Sequence, residues 1–246
     1  EAIDEDGRIA GYAAVRAHHA DVGGMSPGSM PFGATELVQE GLVLPPVRLV
    51  AGGALDESIL GLVLANVRTP DERRGDLAAQ QSACHAGAAG WRALRKREGV
   101  AHVEAGALAL LDYSERRAVA RLLELGDIEA SAEDFLEGDG VSDALVPLRV
   151  RLQVRQGRLR LDFAGTSPRV RGNVNCPVAV TRAAALFVLR SLLDDDVPTN
   201  DGIARAIEIV TPDDCVLAAT WPSAVAAGNV ETSQRITDAC LLALKT

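Results

Sequence analysis

The stretch 145-LVPLRVRLQVRQGRLRLDF-163 decides how this chain is read. Val146, Leu148, Val150, Leu152 and Val154 alternate with Pro147, Arg149, Arg151, Gln153 and Arg155. Successive side chains of a β-strand point to opposite faces, so period two means one buried face and one wet face. Gln156-Gly157 supplies a two-residue turn, where glycine tolerates positive φ. Leu159, Leu161 and Phe163 then resume the alternation against Arg158, Arg160 and Asp162. The stretch predicts a β-hairpin with an aliphatic inner face and an arginine-rich outer face.

Downstream, residues 178–193 are apolar except for Thr181, Arg182, Arg190 and Ser191, which predicts a buried helix. Strands are expected near 206–211 and 215–219, and a last helix over about 230–244. Polar groups gather around these elements. Thr166-Ser167-Pro168 and Gly172-Asn173-Val174-Asn175 close the hairpin, and 228-GNVETSQR-235 opens the last helix. Asn229 has the chemistry of an N-cap, and Glu231, Thr232 or Ser233 could satisfy first-turn amides. The alternative use of this helix start is to hold a substrate carboxylate or carbonyl with Arg235. Asn173, Glu231 and Arg235 are therefore the candidate substrate-binding residues.

Upstream, residues 54–126 carry a helical pattern. Leu55, Ile59, Leu60, Leu62 and Val63 share one face. A longer helix starts at Asp71 after Thr69-Pro70, and Gly99 ends it near residue 98. A further helix covers about 101–125, with Leu108, Leu111, Val119, Leu122 and Leu123 as its buried candidates. Two helices joined at a glycine suggest a helical hairpin. The basic run Arg92–Arg97 reads as a solvated helix face. Residues 8–16 follow the turn signal Asp6-Gly7 and predict a buried strand ending at His18 and His19. Residues 21–53 are rich in glycine and proline, with apolar anchors such as Met25, Met30 and Leu42, and read as a packed functional loop. The fold class is thus mixed α/β: a strand with a glycine-rich loop (1–53), a helical segment (54–126), and a mixed α/β segment (127–246). These three are interdependent parts of a larger subunit.

Composition bounds the function. The net charge of −9 argues against nucleic-acid binding, which needs a concentrated basic surface. No run approaches the roughly 20 apolar residues of a membrane span. The four cysteines are dispersed without a CxxC pair, which suits a reduced cytoplasmic protein better than a disulfide or zinc framework. No P-loop or Rossmann fingerprint is present. Gly24-Met25-Ser26-Pro27-Gly28 has the letters of a nucleophile elbow, but Pro27 opposes the helix that an elbow requires. His18-His19-Ala20-Asp21, at the edge of the glycine-rich loop, combines imidazole and carboxylate, donors suited to Zn²⁺ or Mn²⁺.

Five blocks in order resemble the hydantoinase B family: 18-HHADVGGMSPGSMP-31, 35-TELVQEGLVLPPVRL-49, 66-NVRTPDERRGDLAAQ-80, 162-DFAGTSPRVRGNVNCPVAVT-181 and 228-GNVETSQRITDA-239. That family includes the B subunits of N-methylhydantoinases, the matching half of 5-oxoprolinases, caprolactamase, and the metal subunits of acetone and acetophenone carboxylases. The resemblance implies a two-component, ATP-dependent cyclic-amide hydrolase. An A-type ATPase subunit, carrying ATP and Mg²⁺, would phosphorylate the amide oxygen. The metal-bearing B subunit would complete ring opening in a hetero-oligomer. It implies His18 as a metal ligand, Asp21 as a second, and His19 as a group orienting the site from behind. Further ligands, in Asn-Asp-Pro-Tyr and Thr-His-x-x-Asp motifs, would lie before Glu1, so the chain reads as an interior fragment. The alternatives are a subunit of an ATP-dependent ketone carboxylase and an inactive truncated scaffold.

Overall fold

The computed structural model describes residues 1–5 and 7–245. Asp6, half of the first turn signal, lies outside the described residues. The chain divides into two compact units, residues 1–29 with 41–107, and residues 30–40 with 108–246. The glycine-rich stretch is thus shared between them.

In the first unit β1 (Ala2–Glu5) and β2 (Arg8–Tyr12) form an antiparallel hairpin. The expected buried strand over 8–16 is corrected here. β2 stops at Tyr12, and its bulky residues Ile9 and Tyr12 are exposed. Ile3 of the partner strand, which the sequence pattern did not reveal, is buried instead. β3 (Val50–Ala51) and β4 (Ala54–Leu55) close a short hairpin on Gly52-Gly53, both at positive φ. α1 (Glu57–Leu64) begins at Asp56, whose carboxylate accepts from Ser58 N and Ile59 N and satisfies two of the helix's orphan amides. α2 (Pro70–Glu98) carries proline in its first turn with Asp71 and Glu72, and Arg95, Lys96 and Arg97 in its last, all favourable to the helix dipole. In the basic run Arg95 departs from expectation: it is buried and pairs with Glu104 at 2.8 Å.

Gly99, at φ 87°, breaks the helix, and α3 (Val100–Leu125) follows. Residues 108–125 of α3 belong to the second unit. Their buried row is Ser114, Ala118 and Leu122, four residues apart. Small residues on that row permit close packing. Leu108 and Leu123, expected in the core, are exposed.

The second unit is organised by a four-stranded sheet, β5 (Ile128–Leu136), β6 (Val146–Arg155), β7 (Arg158–Asp162) and β8 (Ile207–Val210), in that order. The β6–β7 hairpin has the expected register, with Arg155 opposite Arg158 and Gln156 and Gly157 both at positive φ. β8 joins β7 in parallel. Val146, Leu148, Val150, Leu152, Val154, Leu159, Leu161 and Phe163 are all buried. They share a core with α4 (Val178–Ser191) and α6 (Thr232–Leu244). The outer face carries the arginines. Arg149 pairs with Glu133, Arg151 and Arg155 with Glu129, and Arg160 with Glu208. β5 has no clear period in the sequence because the middle of its inward row is Ala130 and Ala132, too small to link Ile128 and Leu136 into a strand pattern.

Residues 215–219 are not a strand. Cys215, Val216 and Leu217 are buried in a turn. Its backbone is satisfied without a ladder: Val216 N donates to Ser167 O, Cys176 N to Val216 O, and Thr181 Oγ1 to Leu217 O. α5 (Asp201–Ala204) is a single turn capped by Asn200. Asn229 does not cap α6. It ends a 3-10 turn, and the helix enters through Glu231 with no side-chain cap. No helix of the described residues is long and apolar enough to cross a membrane.

Candidate functional site

The loop after His18 is built around Asp21. This side chain is only 8% exposed, and both of its oxygens are occupied. Oδ1 accepts from Gly23 N at 2.9 Å and Arg68 N at 3.3 Å; Oδ2 accepts from Gly28 N at 3.1 Å and Arg68 Nη1 at 2.9 Å. Arg68 also donates to the carbonyls of Gly23 and Gly24, and Ser29 Oγ bridges Val22 N and Gly23 O. Burial pushes the Asp21 carboxyl up. The Gly23 amide, the Arg68 guanidinium and the Gly28 amide outweigh it and hold the group at about 2. Gly23 sits at φ 89°, and a Cβ there would collide with the Asn66 carbonyl.

His19 Nε2 lies 3.2 Å from Gln80 Oε1, and its Nδ1 lies 4.0 Å from Asp76, so this ring engages α2. His18 is exposed, with no hydrogen-bond partner among the described residues. The donor set does not by itself fit a divalent metal. Asp21 has its four acceptor positions filled by N–H groups, and no three His, Cys, Asp or Glu side chains among the described residues converge on one point. What the Asp21–Arg68 pair does is fix the path of the loop.

The three residues proposed for substrate are brought together. Asn173, Glu231 and Arg235 line one pocket of about 550 Å³ in the second unit. Its other walls include Met30, Phe32, Phe135, Val141 and Val230, and the glycine-rich turn Gly138–Asp143. Arg235, in the first turn of α6, lies 3.4 Å from Asp134 and 3.7 Å from Asp238. Asn173 is buried and works on both sides: its Nδ2 donates to Pro31 O at 2.9 Å, and its carbonyl accepts from Ala227 N and Gly228 N.

Two buried carboxylates hold the pocket walls. Asp139 accepts from Val141 N, Ser142 N and Gly172 N, tying the 138–143 turn to the 172–175 segment. Burial raises the Asp139 carboxyl, but the amides of Gly172, Val141, Ser142 and Arg171 bring it below the usual range. Glu40 accepts from Val225 N and Ala226 N, each at 2.9 Å. Here burial wins over the two amides and the carboxyl is pushed up. Leu37 N donates to Pro222 O, so residues 36–40 are fastened to the loop that leads into α6. Sequence reasoning missed Arg68, Glu40 and Asp139. Arg68 and Glu40 stand in two of the five quoted blocks, but nothing in their spacing shows what they touch.

Residues 2–246 match the Hydantoinase B/oxoprolinase family. The chain belongs to that family. It is 36% identical to an uncharacterized protein of Methanocaldococcus jannaschii over 96% of this chain and 41% of that protein. It is 33% identical to a 5-oxoprolinase of Saccharomyces cerevisiae over 96% of this chain and 19% of the relative. The fold is similar to the crystal structure of an ATP-dependent caprolactamase from Pseudomonas jessenii, with a TM-score of 0.80, 27% identity, and coverage of 93% of this chain and 39% of that one. The chain spans less than half the length of each of these hydantoinase B/oxoprolinase relatives.

Proposed function

We propose that this chain is part of the B-type component of an ATP-dependent cyclic-amide hydrolase, and that the second-unit pocket holds the ring during opening. One observation carries the reading. Asn173 meets Glu231 and Arg235, from a distant part of the sequence, in one pocket of ligand size in a hydantoinase B chain. Each amide unit of the ring offers one carbonyl oxygen and one N–H. The Arg235 guanidinium is a donor for the oxygen, and the Glu231 carboxylate an acceptor for the N–H. Activation of the amide would come from an A-type ATPase partner. The contribution of this chain is to fix the ring in one orientation and to exclude competing poses. A divalent metal at His18 would need ligands beyond the described residues, and no step here passes through it.

The test uses the full-length protein with its ATPase partner. Hydantoin opening should require ATP, and Arg235→Ala should lower kcat/KM roughly 100-fold, the scale of one charge-assisted hydrogen bond. Thermal stability should be unchanged. Ring opening without ATP, or full turnover by Arg235→Ala, would reject the reading. A product that forms only with bicarbonate would point to the carboxylase alternative.

A further inference from the structure

We infer that the second-unit pocket selects uncharged, hydrocarbon-bodied cyclic amides over rings that carry a carboxylate, and that Phe32 is its specificity-determining residue. This deepens the proposed function and rests on it.

The first support is the placement of Phe32. Its ring is 86% exposed although the backbone around it is tightly held. Pro31 is buried, and its carbonyl accepts from the buried Asn173 amide. Ala34 is fully buried, and Gly33 sits at φ 80° beside the Gly140 backbone. A large apolar side chain on a fixed turn, left in water, costs burial free energy that a core position would have gained. Within this chain the ring is therefore presented at the pocket rather than packed into the core. Met30, Phe135, Val141 and Val230 are exposed around the same pocket, so its rim is apolar on several sides. Ring methylenes match such a rim, and an aromatic face adds dispersion contact.

The second support is charge. The pocket is lined by the carboxylates of Glu137, Asp143 and Glu231, and its lining cation is Arg235. That guanidinium already has Asp134 at 3.4 Å and Asp238 at 3.7 Å. A ring carboxylate entering here would meet an excess of like charge and a cation whose field is largely cancelled. An uncharged amide has no such conflict.

2-Pyrrolidinone and 5-oxoproline form a matched pair, the same five-membered lactam without and with a carboxylate. Their binding to the full-length protein, measured by calorimetry, should favour 2-pyrrolidinone at least tenfold. Phe32→Ala should weaken 2-pyrrolidinone about tenfold with no change in Tm, since the side chain stabilises no core. Equal or tighter binding of 5-oxoproline would overturn the inference and leave the cyclic-amide reading standing. Unchanged affinity in Phe32→Ala would overturn the role of Phe32. Failure of both rings to bind would overturn the reading of the pocket and this inference with it.

Discussion

Replacing Asp21 by alanine is expected to destabilise the first unit by about 2–3 kcal/mol, the cost of leaving backbone donors without their charged acceptor. The carboxylate takes four hydrogen bonds, three of them from backbone amides. Its removal leaves the Gly23 amide buried without a partner and the Arg68 guanidinium facing carbonyls alone. Asp21→Asn should lose less, because one oxygen still accepts. The pH dependence has a definite sign. The folded carboxyl is held at about 2, against 3.8 for the free group. A depressed acid stabilises the folded state above its unfolded pKa, and this contribution disappears as pH falls from about 4 towards 2. Denaturant titrations across that window should show a steeper acid loss in the wild type than in Asp21→Asn. Parallel profiles would mean that the carboxylate is not the loop's centre.

Gly228→Ala is expected to cost about 3 kcal/mol or more and to abolish ring binding in the second unit. The added Cβ would lie far inside van der Waals contact with the Asn175 carbonyl oxygen and 2.8 Å from Cys176 Cβ. Neither neighbour can give way. Asn175 is fully buried, and its amide donates to the carbonyls of Val170, Gly172 and Ala224. Cys176 is buried in the core. Relief must come from moving the 227–231 segment, which carries Glu231 into the pocket and is held by the backbone carbonyl of Asn173. Chemical denaturation measures the first effect, and calorimetry with a cyclic amide the second. A substitution tolerated at full stability would show that this packing is looser than described.

The elements with a clean period were legible in the sequence. The β6–β7 hairpin was, because bulky aliphatics alternate strictly with arginines and the turn residues suit positive φ. α2 was, because its proline start, acidic first turn and glycine stop agree, and α6 was in extent, although Asn229 is not its cap. β5 was not, because alanines fill the middle of its inward row between Ile128 and Leu136 and its outward glutamates look like any solvated run. Only the β6 arginines, each matched to one of those glutamates, hinted at a partner strand. At residues 215–219 an apolar run resembled a strand but is a buried turn, since side-chain and loop donors replaced the ladder. The candidate site was half legible. Asn173, Glu231 and Arg235 were read from polar groups beside buried elements, and the fold gathers them. Arg68, Glu40 and Asp139 act across 47, about 185 and 33 residues of sequence, a range over which local pattern carries no signal.

Amide hydrogen exchange of the full-length protein, with and without a saturating cyclic amide, reports where the ring sits. Added protection is expected only over residues 30–34, 135–143, 173–174 and 227–235, with no change over residues 21–29. Protection centred on residues 21–29, with the second-unit segments unaffected, would contradict it.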